Sequence, residues 1–314
     1  MVINAMATTQ SPSRSAEILQ SIRSMIVLYG SVRTTSLSRK IDRSILDLPL
    51  VTGSITTHHL ANAKACARRF NLKDFEMRVL VDTESLSPKD YAAVEGVKYV
   101  VQQDASPIRG VAGVLSDATK NMGDDEYIIV SSGAQIYLEP LDDLVHAMAK
   151  KEADVAFVSS VEGAPVGVWL IRCGVLKSVK SIGYVDLKEQ SLEEWKQQHK
   201  VCVVERSRAY THPTRSLMEY LSAIRSAAAG FGSGSTIDED PYREDWESAF
   251  SIIEPDAKVA PGALLHNSIA LAGSTVGKDA VVVRSVICAG AVVAPGARVC
   301  DKVLTGVAKK ERVR

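Results

Sequence analysis

Residues 253–304 read IEPDAKVAPGALLHNSIALAGSTVGKDAVVVRSVICAGAVVAPGARVCDKVL. Ile253, Val259 and Leu265 recur six positions apart, and Val276, Val282, Ile287, Val293 and Val299 continue the series with five-residue steps into Val276 and Ile287. Two positions before most of them stands a small residue: Ala257, Ala263, Ser274, Ala280, Ser285, Ala291 and Ala297. Gly262, Gly277, Gly290 and Gly296 punctuate the series. The period is neither 3.6 nor 2, so an amphipathic helix and a half-buried hairpin both fail. A hexapeptide repeat of this kind predicts a parallel β-helix, with aliphatic residues stacked inside and small residues where the chain turns tightly. About three coils of roughly 18 residues fit, wound left-handed over 250–305 and followed by a basic tail, 306–314.

Upstream, the stretch from Gly230 to Tyr242 is rich in Gly, Ser and acid, and 231–249 reads as a linker. Before it lies a different rhythm. Apolar runs at Met25–Tyr29, Met77–Val81, Val97–Val101, Tyr127–Val130 and Asp154–Val158 read as buried strands. Between them, Leu60–Phe70, Pro88–Val94, Gly110–Met122 and Leu141–Lys150 have helical spacing. This alternation predicts a doubly wound α/β domain over 23–230 with a mostly parallel sheet, preceded by a flexible tail over 1–22 with a helical turn at Ala16–Ile22. After Val158 the expectation is strands at Val166–Arg172 and Val201–Val204, and helices at Ser191–Gln198 and Leu217–Ala228.

The balance of 37 basic against 37 acidic residues lacks the electrostatic footprint of a nucleic-acid binder. Cys66, Cys173, Cys202, Cys288 and Cys300 show no CxxC or CxxxH spacing, which argues against a zinc site or a disulfide framework. With no signal-like N-terminus and no apolar run near the ~20 residues that span a bilayer, the expected setting is the cytoplasm, away from membranes.

Val27-Leu28-Tyr29-Gly30-Ser31-Val32-Arg33 resembles the strand, Gly-containing loop and pivotal Arg that open the sugar-1-phosphate nucleotidyltransferases (NDP-sugar pyrophosphorylases). Asp42-Arg43-Ser44-Ile45-Leu46-Asp47-Leu48-Pro49 is similar to the family's Pro-Lys-Pro-Leu-Leu-Pro segment, with Arg43 in place of Lys. Pro107-Ile108-Arg109-Gly110-Val111-Ala112-Gly113 resembles the segment beside the nucleotide base, Gly167 the Gly that lines the sugar pocket, and Asp186 with Glu189 a later acidic stretch.

The resemblance implies a GT-A-like nucleotidyltransferase domain. Its substrates would be an NTP and a sugar-1-phosphate, its product an NDP-sugar. Arg33 and Arg43 would neutralise the phosphates as charge moves to the leaving pyrophosphate. Gly30, Ser31, Arg33 and Gly110 would bind the nucleotide, and Gly167, Asp186 and Glu189 the sugar. Apart from the resemblance, the sheet edges and aliphatic surface at the coil ends make a homo-oligomer through the β-helix the expectation.

The departures fall on the metal. Family members hold Mg²⁺ with an Asp after the central strand, where Ile128–Ala134 puts Ala134, and with a second Asp, for which His212 and Pro213 stand here. Mg²⁺ needs carboxylate oxygens, so no metal ligand is assigned, and Mg²⁺ belongs to the reading only if the chain is an active transferase. The alternative is a degenerate relative that binds a sugar nucleotide, or an active paralogue, in a regulatory or scaffolding role. A hexapeptide acyltransferase would rely on His266 and would leave the large α/β domain unexplained, and a glycosyltransferase would rely on the Asp238-Glu239-Asp240 triplet, which lies in the linker and reads as a solvated acidic run.

Overall fold

The computed structural model describes residues 13–29, 37–38, 40–91, 96–104, 109–160, 165–180, 183–228 and 249–306. In chain order the first part runs α1 (Arg14–Gln20), β1 (Ile22–Tyr29), α2 (Ile55–Arg69), β2 (Phe75–Val81), β3 (Val97–Gln103), α3 (Gly110–Ala118), β4 (Tyr127–Ser132) and β5 (Gln135–Tyr137). It continues with α4 (Leu141–Ala149), β6 (Val155–Ser160), β7 (Pro165–Arg172), α5 (Cys173–Lys177), α6 (Leu192–Gln198), β8 (Val201–Arg206), β9 (Thr211–Pro213) and α7 (Leu217–Ala228).

Strands apolar on both faces belong inside a sheet covered twice, and that is where β1 and β4 lie. The sheet order is β3-β2-β1-β4-β7-β6-β8, parallel except for β7, which runs antiparallel to β4 and β6. Alternate side chains of each strand point to opposite faces. Met25, Val27, Met77 and Val79 pack with Leu60 and Ala63 of α2, Leu144 and Met148 of α4, and Tyr220 and Ile224 of α7. Ile26, Leu80, Ile128 and Val130 pack on the other face with Leu115 of α3, Leu176 of α5 and Trp195 of α6. The helices thus cover both faces, as the alternation predicts.

Several boundaries move. α2 starts at Ile55 rather than Leu60, because Ser54 and Thr57 close a capping box: Thr57 N–H donates to Ser54 Oγ at 3.2 Å and Ser54 N–H to Thr57 Oγ1 at 2.6 Å. β1 starts at Ile22, the residue expected to end a helical turn. The expected helix over 88–94 is absent from its described part, Pro88–Tyr91. There the Lys89 N–H donates to both carboxylate oxygens of Asp47, at 3.1 and 3.0 Å, instead of to a helical carbonyl. The short pair β5 and β9 has no counterpart in the sequence reading.

The C-terminal strands are β10 (Ser251–Ile253), β11 (Lys258–Val259), β12 (Leu264–His266), β13 (Ser268–Ala270), β14 (Thr275–Val276), β15 (Val281–Val283), β16 (Val286–Ile287), β17 (Val292–Val293), β18 (Arg298–Cys300) and β19 (Val303–Leu304). They form three parallel ladders, β10-β13-β16-β19, β11-β14-β17 and β12-β15-β18, the three sides of a β-helix. Partners are 17 positions apart, as in Val259, Val276 and Val293 or Leu265, Val282 and Val299, so each coil takes 17 residues rather than roughly 18. The short step recurs once per coil, into Ala270, Ile287 and Leu304, which share a ladder with Ile253. Ala270 is therefore the inward residue that the sequence reading passed over, and Val276 follows it at the ordinary spacing.

The corners explain the glycines and the small residues. Gly262, Asp279 and Gly296 stack in one corner, Asp256, Gly273 and Gly290 in a second, and Asn267, Arg284 and Asp301 in the third, all with positive φ. Only Gly, and less readily Asn or Asp, takes this backbone conformation at low cost. Buried Ser268 and Ser285 tie the coils at the third corner, Ser285 N–H donating to Ser268 Oγ and Lys302 N–H to Ser285 Oγ, both at 3.1 Å. Ile269, Leu271, Val286 and Cys288 share one core with Tyr220, Ile224 and Phe250, so the β-helix packs on the α/β part; the expected linker lies, up to residue 248, outside the described residues. Among the described residues, no helix is long and apolar enough to cross a membrane.

Candidate functional site

In an open parallel sheet, ligands collect at the carboxyl ends of the strands where the order reverses direction. Here that point lies between β1 and β4, since β2 and β3 add on one side of β1 and β4 on the other. β1 ends at Tyr29 and leads into the loop expected to hold phosphates. Gly30, Ser31 and Arg33 lie outside the described residues. β4 ends at Ser132 and turns through Gly133, whose N–H donates to Leu28 O at 2.8 Å. A Cβ at Gly133 would lie 3.2 Å from that oxygen and 3.3 Å from the side chains of Leu46 and Tyr29, which leaves little room for any other residue.

The turn brings together the two positions at which the resemblance would place metal carboxylates. β5 pairs antiparallel with β9, Gln135 opposite Pro213 and Ile136 opposite His212, and Thr214 N–H donates to Ala134 O at 3.0 Å. Neither strand supplies a carboxylate. Ala134 offers a methyl group, and the His212 ring turns to α7, its Nε2 lying 3.0 Å from Ser222 Oγ. Thr214 is fully buried, and its Oγ1 has no partner among the described residues. Mg²⁺ demands several oxygen ligands in an octahedron, carboxylates foremost. One hydroxyl and a carbonyl already taken do not meet that demand. No group of three or more metal-ligating side chains exists among the described residues.

The acidic residues nearest in sequence are engaged elsewhere. Asp124 pairs with Lys177, Asp125 with Arg172 at 2.6 Å, and Asp142 with Arg69 at 2.8 Å. Asp124 and Asp125 also precede β4, at the end of the strand away from the crevice.

At the carboxyl end of β4 lies a buried polar network. Gln135 Nε2 donates to Ser131 Oγ at 3.3 Å and to Gly167 O at 3.2 Å, and Ser131 also bonds the Tyr137 hydroxyl. Tyr137 stacks on His58, with centroids 5.6 Å apart, and meets His59 edge-on at 5.4 Å. His58 Nε2 accepts the Tyr137 N–H at 2.9 Å, which fixes its lone pair there. His59 Nε2 lies 3.3 Å from Gly133 O and so carries the proton. Burial pushes His58 down to about 4, and burial, then the neighbouring His58, pushes His59 down to about 3. Both are neutral at physiological pH.

The sequence-predicted residues fall into three groups. Gly167, with φ of 62°, packs against Gln135 and so belongs beside Ala134; a Cβ there would collide with the Gln135 amide. Gly110, with φ of 67°, belongs with the 185–189 segment: Ala112 N–H donates to Val185 O and Val185 N–H to Arg109 O, at 3.2 and 3.0 Å. The close approach that Gly110 makes is to the chain's own Val185, whose carbonyl oxygen would lie 2.5 Å from a Cβ. Asp186 caps the π-turn Leu187–Ser191, its Oδ1 accepting Lys188 N–H at 2.7 Å and Glu189 N–H at 2.9 Å, while Glu189 is exposed. Arg43 stands apart. Its Nη1 reaches Glu254 Oε2 of the β-helix at 2.7 Å and its Nη2 the Asp47 carbonyl at 2.6 Å, so the described structure gives it an interdomain task.

Two cations flank these groups in the chain, Lys188 within the 185–189 segment and Arg215 next to Thr214. Desolvation, then the charge of Arg215, lowers the Lys188 ammonium. Sequence reasoning missed this pair, the histidines, Gln135 and Thr214. Only the adjacent His58-His59 offered a signal, and buried histidines in a helix look alike from sequence whether or not they border a site. His266 lies on β12 beside Asn267, 3.3 Å from its amide, and the Asp238–Asp240 triplet lies outside the described residues.

No known protein family matches the chain, and no curated protein does. Among solved structures the chain is similar to a Bacillus anthracis protein assigned as a glucose-1-phosphate thymidylyltransferase and solved with sucrose. The two are 12% identical with a TM-score of 0.47, over 65% of this chain and 94% of that one. It is also similar to the homologue of Mycobacterium tuberculosis Rv0371c from Mycobacterium sp. strain JC1, at 17% identity and a TM-score of 0.43, over 67% of this chain and 98% of that one.

Proposed function

We propose that this chain is a sugar-nucleotide-binding relative of the sugar-1-phosphate nucleotidyltransferases that does not perform metal-assisted nucleotidyl transfer. The observation that carries this reading is the meeting of Ala134 with Thr214 at the switch point of the sheet, without a carboxylate from either strand. Nucleotidyl transfer shifts charge onto leaving pyrophosphate, and that charge needs a cation held by oxygen ligands or an equivalent set of donors.

In this reading the loop after β1, with Gly30, Ser31 and Arg33, receives the phosphates of an NTP or NDP-sugar. The sugar lies against the Gln135 amide that closes over Gly167, and Lys188 and Arg215 supply positive charge without a metal. Asp186 and Glu189 border the same crevice. The coils, wound left-handed as the repeat implies, brace the α/β part through Arg43 and Glu254. Their outer described strands β17, β18 and β19 offer edges for pairing with a second copy, which sedimentation of the full chain would reveal.

Calorimetric titration with nucleoside diphosphate sugars, in EDTA and then in Mg²⁺, tests the binding role. The same affinity in both is expected, with a loss of about ten-fold in Arg33→Ala. Affinity that vanishes in EDTA, or survives Arg33→Ala unchanged, contradicts the assignment.

A further inference from the structure

A cleft of about 360 Å³ lies away from the crevice, between α7 and the β-helix. His212, Ser222 and Arg225 line it from the α/β part, and Arg284 closes it from the corner between β15 and β16. Met218 and Leu221 give it apolar walls, and Met218 is 56% exposed.

Its charges are unevenly committed. Glu219 also borders the cleft, but its Oε2 accepts the N–H groups of Arg215 and Ser216 at 3.0 and 2.8 Å, so its charge is spent on the start of α7. Arg284 holds Asp301 with Nε and Nη2, at 2.6 and 2.8 Å, which leaves Nη1 for another acceptor. Arg225 has no ion-pair partner among the described residues, and its buried Nε has no acceptor there. A buried donor without an acceptor calls for an explanation. Two arginines lining one cleft suit a planar or tetrahedral oxyanion.

We infer that this cleft binds a small amphipathic anion, a phosphate monoester or carboxylate whose apolar group lies against Met218 and Leu221 while its oxygens meet Arg225 and Arg284. The ligand bridges the α/β part and the β-helix. It also touches His212 on β9, the strand that leads directly to Thr214, so it bears on the geometry of the crevice from behind. The inference does not rest on the proposed function, since none of the four cleft residues that would hold the anion lines the crevice.

Calorimetric titration of the full chain with phenyl phosphate tests it, with benzyl alcohol as the neutral comparator. Binding of phenyl phosphate alone is expected, weakening as salt rises. Arg225→Gln and Arg284→Asn should each lower affinity about ten-fold, and Arg225→Lys, which keeps the charge but loses the fork, by less. Asn tolerates the positive φ at position 284, so that variant keeps its corner. Lys188→Gln, in the crevice, should leave this affinity unchanged. Unchanged affinity in both arginine variants, loss confined to Lys188→Gln, equal binding of benzyl alcohol, or no binding of phenyl phosphate would each overturn the inference.

Discussion

Single residues decide this structure where backbone passes close to backbone, and Gly110 is the clearest case. It has φ of 67°, and a side chain would meet the Val185 carbonyl. Gly110→Ala should therefore cost about 3 kcal/mol or more, read from urea unfolding, since strain and collision add. A second prediction follows from His58 and His59. Both are held below the ordinary value of 6.5, at about 4 and about 3, so the folded state stays neutral while the unfolded chain takes up protons. The stability they contribute is complete above pH 6.5 and is lost as pH falls toward 4. Between pH 7 and pH 5 the loss should be about 2 kcal/mol per histidine, and a His58→Gln, His59→Gln chain should lose correspondingly less over that interval. Such residue-level facts were half legible in the sequence. Gly110 stood out as a glycine that permits a close approach, but only the fold shows that Val185 is what approaches.

At the scale of elements, the repeat was the most readable feature, because an inward aliphatic every six residues admits few folds. What it could not show was the frame. Ala270 is small and apolar like the corner residues and so does not stand out as an inward position, and six-residue sides give roughly 18 residues per coil where one short side per coil makes it 17. The 17-residue repeat now makes a sharp prediction. Arg284 occupies a positive-φ corner position, stacked with Asn267 and Asp301. Arg284→Asn should keep the melting temperature or raise it, because relief of backbone strain offsets the loss of an exposed ion pair. Gly277→Ala should lower it sharply, since a Cβ there falls 2.6 Å from Pro295 N of the next coil. The helix expected over 88–94 failed for a different reason. Its described backbone bonds to Asp47, a partner more than forty residues away that no local pattern reveals.

For the whole molecule, the joint between the two parts is what the sequence concealed. The expected linker lies, up to residue 248, outside the described residues, while Ile269, Leu271, Val286 and Cys288 complete the core of the α/β part. Glu254 ties the joint, accepting both Arg43 and the Ala272 N–H, at 2.7 and 2.8 Å. Glu254→Gln should destabilise the full chain by about 2 kcal/mol, because it takes from the half-buried Arg43 the carboxylate it pairs with. The same long-range folding set the crevice. The paired stretches around Ala134 and Thr214 are distant in sequence, and each was suspect by itself for a missing carboxylate. Their adjacency turns two local oddities into one statement about chemistry. Pyrophosphate release tests that statement most directly, measured with each NTP and a panel of sugar-1-phosphates, with and without Mg²⁺. Nucleotide or NDP-sugar binding with no release above background in either condition is predicted. Release that requires Mg²⁺ would contradict it, and would mean that carboxylates outside Ala134 and Thr214 hold the metal.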